Sequence, residues 1–422
     1  MTATLSIIIL VICVILFITE LIPSSFTAVL GCVLMYAVGA CDFSSAFSGF
    51  SNSAFFLVAG SMIVGVAMAE TGVAQLVANY CIKLSKGKEK LFILYAAIAS
   101  GILSAFIANT AVVACFLPII ESVALSGGGT RKNMTMAITF GAMYGGSLTL
   151  VGSTPQPIAN GILQEMTGLE AKMFDYLGPG LCIFVAFILY TQLFGYEHGK
   201  RVWGNRPEEK AMVSKENLED LNVPVSKFKV AAMAGIFILM IVSYSFQLVP
   251  TEMTAIIAGL LCIVLRLCTE KQVFQGIAWS PLIMLAGTIG IAAGLNNSGA
   301  GKILIDFIMS IIGDGASPYL VFTVFVLGTT IISNFCANAA TTIIVLPLAI
   351  SACLSYGWNP ITFAVGIVIA ANLACATPIA HTQVTMTLVA GYRFSDYIKY
   401  NGLMCIIANT LIILTTPLFL PF

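Results

Sequence analysis

SAFIANTAVVACFLP (residues 104–118) and SNFCANAATTIIVLP (residues 333–347) align without a gap. Ser104, Phe106, Ala108, Asn109, Ala111, Leu117 and Pro118 recur as Ser333, Phe335, Ala337, Asn338, Ala340, Leu346 and Pro347, at an offset of 229. Apolar residues match by chance often; Asn and Pro held at one spacing do not. Working outward toward the N-terminus, Pro23, Thr27, Ala28, Phe47, Gly49, Gly60 and Gly72 match Pro250, Thr254, Ala255, Phe274, Gly276, Gly287 and Gly299, at an offset of 227. The chain is therefore an internal duplication with a two-residue indel between the blocks.

The composition says where such a duplication folds. Of 422 residues 59% are hydrophobic and 9% charged, with 19 Lys+Arg against 19 Asp+Glu. A soluble chain carries about a quarter charged residues, and a nucleic-acid binder needs a basic face, so both classes are excluded. A bilayer core about 30 Å thick takes about 20 apolar residues per helix. Spans are expected at 5–22, 24–41, 53–70, 133–163 and 174–196, then 228–248, 251–268, 280–297, 361–391 and 402–420. The first is a retained helix, because it lacks a basic leader and a cleavage site. Stretches 91–126 and 316–356 are too long for one span and are broken by small polar residues, so each reads as a re-entrant hairpin.

This gives an all-α polytopic membrane protein of two inverted-topology repeats. The first is 1–196 (scaffold helices 5–85, hairpin 91–126, broken helix 133–163, last span 174–196), followed by a polar linker, 197–229. The second is 230–422 (scaffold helices 230–313, hairpin 316–356, broken helix 361–391, last span 402–420). Five crossings per half invert the second half. That topology puts 17 of the 19 basic residues on one face and leaves Lys172 and Lys302 opposite. Basic loops stay in the cytoplasm, so the expectation is a multi-pass plasma (inner) membrane protein with a cytoplasmic linker and both termini outside.

The chemistry is expected at the interruptions. Inverted repeats place a midplane site where helix N-termini face anions and unwound carbonyls hold cations. The interruptions are the tips Ala108-Asn109-Thr110 and Ala337-Asn338-Ala339, and the Gly/Pro breaks at 145–155 and 376–383. No Asp, Glu, Lys or Arg occurs from 315 to 392 or from 133 to 164. An anion there must be held by dipoles, hydroxyls, amides or co-bound cations, which favours Na⁺ co-transport; a proton-coupled carrier would more usually carry intramembrane carboxylates. His381 lies inside the second break, where it is a substrate contact, a pH sensor or a packing residue; His198 is in the polar linker. Glu20 reads as interfacial, 83–90 as a basic stretch on the cytoplasmic membrane surface that follows an amphipathic segment, Val73 to Ile82, and Gly141 to Gly145 as a close-packing motif. The twelve cysteines show no CxxC pattern and read as core residues. No metalloprotease, nucleophile-elbow or nucleotide-binding motif is present, so an enzyme is not expected.

These residues resemble the divalent anion/sodium symporter (DASS) family of the ion transporter superfamily. The Asn-centred tips resemble its Ser-Asn-Thr, the breaks its Gly-Thr-Pro-Pro-Asn, Thr19-Glu20-Leu21-Ile22-Pro23 its opening segment, and Glu70-Thr71-Gly72 a later element. The resemblance implies a homodimer, each subunit a scaffold plus an elevator-type transport domain. It implies one Na⁺ site at Ser104, Asn109 and backbone near Gly152, and another at Ser333, Asn338 and backbone near Ala380. Substrate would meet Asn109, Thr110, Asn338, Thr154-Pro155 and Thr377-Pro378, with His381 beside them. The implied function is Na⁺-coupled uptake of a small di- or tricarboxylate or another divalent anion. Na⁺-independent exchange, proton coupling and a non-transport membrane role stand as alternatives. Ala108, Ala337 and Ala339 replace three hydroxyls of the family pattern, so a C4-dicarboxylate is not assumed.

Overall fold

The computed structural model describes every residue except Met1, Glu20, 204–225, Asp314, 374–376 and 378–380. The interfacial reading of Glu20 and the site assignments to Pro378 and Ala380 lie outside the described residues. Among those described, the chain is helical and forms no strand. Among the described residues seven helices are long and apolar enough to cross a membrane, and shorter apolar helices lie among them.

The two halves share one order of elements. Pro23 and Pro250 each precede a helix, Ser24–Ala37 and Thr251–Val264. Ser53–Thr71 corresponds to Trp279–Asn297, and each ends at a left-handed glycine, Gly72 or Gly299, both at φ 72°. That conformation suits a residue without Cβ. The stretches expected as hairpins are helix pairs: Glu89–Ser104 with Asn109–Leu125, and Pro318–Ser333 with Asn338–Tyr356. The broken spans are Arg131–Gly145 followed by Pro155–Thr167, and Pro360–Asn372 followed by Thr382–Thr385.

The halves are related by exchange. Ser24–Ala37 packs on Trp279–Asn297, and Thr251–Val264 packs on Ser53–Thr71. A Cβ added at Gly60 would stand 2.5 Å from the carbonyl carbon of Ala255, and one at Gly287 would stand 2.7 Å from that of Ala28. Gly60 and Gly287 are repeat mates, as are Ala28 and Ala255, so the two contacts are copies of one another across the scaffold. The expected small-residue motif does pack closely: Gly141 and Gly145 lie against the backbone of Ala97 and Gly101 on the inbound hairpin helix. Pro155–Thr167 touches Asn338–Tyr356 and Pro360–Asn372, tying the two hairpin units together. In the first half, buried Glu121 binds Arg131 through two bonds of 2.6 Å, fixing the outbound hairpin helix to the helix that follows.

The last span of the first half runs further than its polar sequence suggested. Leu177–Tyr190 passes through a π turn, Thr191–Gly195, into Tyr196–Trp203. Buried Trp203 donates its indole N–H to Asn133 Oδ1 at 2.8 Å and packs on Tyr392 and Tyr400, so the start of the linker is anchored to both halves.

One rim is sewn shut. Asn52 Nδ2 donates to Gln164 Oε1 at 2.8 Å, Ser53 Oγ donates to the same atom at 3.3 Å, and Ser48 Oγ donates to Glu165 Oε2 at 3.2 Å. These bonds join the scaffold to Pro155–Thr167. Gln275 and Ser280, the mates of Ser48 and Ser53, instead line an open cavity.

Candidate functional site

The cavity has a volume of about 860 Å³. Val58, Ser61, Met62 and Gly65 of one scaffold helix and Ser280, Pro281 and Met284 of its mate form one wall. The opposite wall is made of both hairpin tips and both breaks: Asn109, Thr110, Thr154, Pro155, Asn338 and His381 are all there, with Thr382 and Gln383. Residues more than 220 positions apart are thus brought to one surface. Ser104, Gly152 and Ser333 lie behind that wall, as does Thr377, whose hydroxyl donates to the Asn334 carbonyl. Its mate in the first half, Thr149, donates in the same way to Ala105 O. Thr149 lies within the first break, 145–155, 228 positions before Thr377.

The tips present donors. Ala108 and Ala337 are the N-caps of Asn109–Leu125 and Asn338–Tyr356, and neither offers a side-chain acceptor. The first N–H groups of a helix have no acceptor within it. Pro155–Thr167 also begins on this wall, so three positive helix ends converge on the cavity. Among the described residues no Lys or Arg lines it, and the one carboxylate is Glu70, bonded to Gln272 at the exposed edge.

Behind each tip is a cluster of neutral oxygens. In the first, Ser104 Oγ donates to Asn109 Oδ1. A Cβ on Gly152 would lie 2.7 Å from Ser104 O and would run into Gly146 O, while one on Gly146 would run into Asn109 Oδ1. Hydroxyl, amide and main-chain oxygens therefore share one small space that only glycines leave open, a donor set suited to an alkali cation. In the second, Ser333 Oγ donates to Ala371 O at 2.7 Å and lies 3.2 Å from Asn338 Oδ1. The residues present fit a cation at both places.

Two further polar groups escaped the sequence reading. Buried Asn372 accepts from Ser153 Oγ at 2.8 Å, and its Nδ2 lies 3.4 Å from Ser147 Oγ and 3.3 Å from Gln156 Oε1. Gln156 Nε2 in turn donates to Gly146 O at 2.8 Å. Asn372 thereby stitches the second half to the break of the first. Its only signal was an amide in an otherwise apolar, charge-free stretch.

A duplicated, interrupted-helix membrane fold with a donor-lined cavity between its halves defines a multi-pass membrane transporter. The chain belongs to the citrate transporter family, which matches residues 14–321 and again 237–422. A sodium-dependent dicarboxylate transporter, SdcS, of Staphylococcus aureus is 25% identical over 398 residues, covering 86% of this chain and 75% of that protein. An uncharacterised transporter of Haemophilus influenzae is 25% identical over 413 residues, covering 93% and 87%. An uncharacterised transporter of Synechocystis is 29% identical over 185 residues, or 44% of this chain, and the match spans only 30% of that longer protein. The crystal structure of the Alcanivorax borkumensis YdaH transporter shares the fold, with a TM-score of 0.64 at 11% identity, covering 94% of this chain and 97% of that one. The DASS resemblance and the all-helical transporter fold are borne out, and the protein is a transporter and not an enzyme.

Proposed function

We propose that the protein couples Na⁺ to the uptake of a small divalent anion, a di- or tricarboxylate, across the plasma membrane by an elevator-type alternation. The observation that carries this is the pairing of a donor-lined cavity, without Lys or Arg among the described residues, with two neutral oxygen clusters directly behind it. Without Lys or Arg, an anion gains most from a co-bound cation a few ångströms away, and each ion raises the affinity for the other. Ser104, Asn109 and backbone near Gly152 hold one Na⁺; Ser333, Asn338 and backbone near Ala380 hold the second. Asn109, Thr110, Thr154, Pro155, Asn338, Pro378 and His381 meet the substrate, and Thr377 supports the second tip from behind.

Repeats 1–196 and 230–422 flank the cytoplasmic linker 197–229, with both termini outside. The cavity reaches the Glu70–Gln272 edge, where Gln272 follows Lys271 in the sequence, which supports a cytoplasm-facing state. The hairpins and broken helices move as a unit against the scaffold, within a homodimer. The test is uptake of labelled citrate, succinate and sulfate into proteoliposomes under an inward Na⁺ gradient. Uptake should require Na⁺ and fall to background in Asn109→Ala and Asn338→Ala. Flux that ignores Na⁺ and rises with internal anion would refute symport in favour of exchange.

A further inference from the structure

The two oxygen clusters behind the tips are joined by a pair of buried amides. Asn372 ends the helix Pro360–Asn372, one residue after Ala371, whose carbonyl accepts from the Ser333 hydroxyl of the second cluster at 2.7 Å. The Asn372 main chain is also hydrogen-bonded to the His381 ring, whose Nδ1 meets Nδ2 of Asn338. Its side chain points the other way, into the first break. Oδ1 accepts from Ser153 Oγ at 2.8 Å, and Nδ2 donates to Gln156 Oε1 at 3.3 Å and to Ser147 Oγ at 3.4 Å. Gln156 passes the contact on, its Nε2 donating to Gly146 O at 2.8 Å. Gly146 O is the atom that a Cβ on Gly152 would run into, and a Cβ on Gly146 would run into Asn109 Oδ1, so the far end of this chain of bonds is the first cluster. Ser153 adds a second route, because it follows Gly152 in the sequence.

The two amides are right or wrong together. An amide oxygen only accepts and an amide nitrogen only donates. Turning Asn372 over would set its Oδ1 against Gln156 Oε1; turning Gln156 to match would set Oε1 against Gly146 O. Asn372 is 1% exposed and Gln156 0%, so acceptors left facing one another there have no water to turn to. The pair is therefore one two-state element with an end in each cluster, which is the physical requirement for coupling between sites. Neither amide lines the cavity, so the path avoids the space given to the anion. At an offset of 228 their mates are Tyr144 and Val384, neither of them an amide. The bridge is built once.

We infer that Asn372 and Gln156 are positioning residues that couple the two cation sites, so that filling one raises the affinity of the other before any anion arrives. This deepens the proposed function and rests on it. Sodium in the first cluster orders the backbone of Gly146 and Gly152, and Gln156 with it; sodium in the second orders the Ala371–Asn372 peptide. Either ion leaves the amide pair already ordered for the other, and the second ion binds at a smaller entropic cost. The coupling is reciprocal, and effects of this kind change affinity about fivefold to a hundred-and-fiftyfold.

The experiment measures equilibrium binding of ²²Na⁺ to the purified protein in choline chloride, with no carboxylate or sulfate present, so that a bridging anion contributes nothing. Two sites of equal intrinsic affinity with that coupling give a Hill coefficient of about 1.4 to 1.85. Gln156→Met keeps the length of the side chain and removes both of its bonds; it should lower the coefficient to about 1 while two ions still bind at saturation. Asn372→Ala should do the same. Glu121→Gln destabilises the same hairpin unit away from the amides and should leave the steepness of wild type, which separates coupling from a general loss of stability. Steepness unchanged in either amide variant would overturn this inference alone. So would the loss of one ion from Gln156→Met, since that residue would then belong to a site and not to the link between sites. A wild type that binds fewer than two sodium ions would overturn it together with the two-site symport reading.

Discussion

Replacing Gly152 by Ala adds one methyl group at the most confined point of the first oxygen cluster. The new Cβ would stand 2.7 Å from Ser104 O and closer still to Gly146 O. Both are main-chain atoms and cannot swing aside, so the backbone of the tip or of the break must yield. Overpacking of this kind costs about 1–3 kcal/mol. If the strain falls on the cation-bound geometry, Na⁺ half-saturation rises about fivefold to a hundred-and-fiftyfold. The repeat mate of Gly152 is Ala380, so sequence comparison between the halves would class the change as harmless; the clash argues otherwise. The assay is the Na⁺ dependence of thermal stability and of anion uptake in proteoliposomes, with Gly60→Ala as the control. That residue also abuts main chain, 2.5 Å from the Ala255 carbonyl carbon, but in the scaffold. It should lower stability without changing Na⁺ half-saturation. Equal Na⁺ half-saturation in Gly152→Ala and wild type would refute the assignment of this space to a cation.

The remaining predictions concern the surroundings of the site. Ser104→Ala and Ser333→Ala each remove one oxygen worth about 1 kcal/mol, and should raise Na⁺ half-saturation several-fold while leaving the order of anion preference intact in competition uptake. Glu121→Gln leaves Arg131 buried without its carboxylate and should cost about 3–5 kcal/mol, read as a fall in melting temperature, whereas the double change Glu121→Leu with Arg131→Met should recover most of it. Asn372→Ala strands Ser153 and the Gln156 amide, and should destabilise by about 1–3 kcal/mol and slow transport without abolishing the Na⁺-induced thermal shift. Trp203→Ala should destabilise by about 3–5 kcal/mol in the same melt, since the ring is buried against Tyr392 and Tyr400.

The scaffold was legible because its residues are fixed by local rules. Pro before a helix, Gly at a left-handed end and small residues at a helix crossing carry the same meaning in isolation as in the fold. The Asn tips were legible for a different reason: two copies at one spacing turn a common packing device into a signal. Other parts depend on distant partners. Thr377 sits in the break, and nothing local says that its hydroxyl turns away to Asn334. Asn372 acquires its role from Ser153, 219 positions earlier. The position of His381 was plain, but the two side-chain amides that meet its Nδ1, those of Asn338 and Gln383, are brought there by tertiary packing. The helix through Tyr196–Trp203 was read as linker because its outward residues are charged, although Trp203 buries its ring on the other side.

The shut rim and the open cavity have an energetic consequence. Under the proposed motion, Gln275, Trp279 and Ser280 take over the sealing role that Ser48, Asn52 and Ser53 now hold. A perfectly duplicated chain would then have two end states of equal free energy. This one does not: serine answers to glutamine and asparagine to tryptophan, while Gln164 and Glu165 answer to Tyr392 and Arg393 at an offset of 228. The sealed side has side-chain hydrogen bonds and a carboxylate; the opposite seal would be aromatic and cationic. The resting preference of the empty carrier is therefore written in the places where its two halves have drifted apart, and exchanging those few residues between the halves should reverse the preference while leaving the binding site untouched.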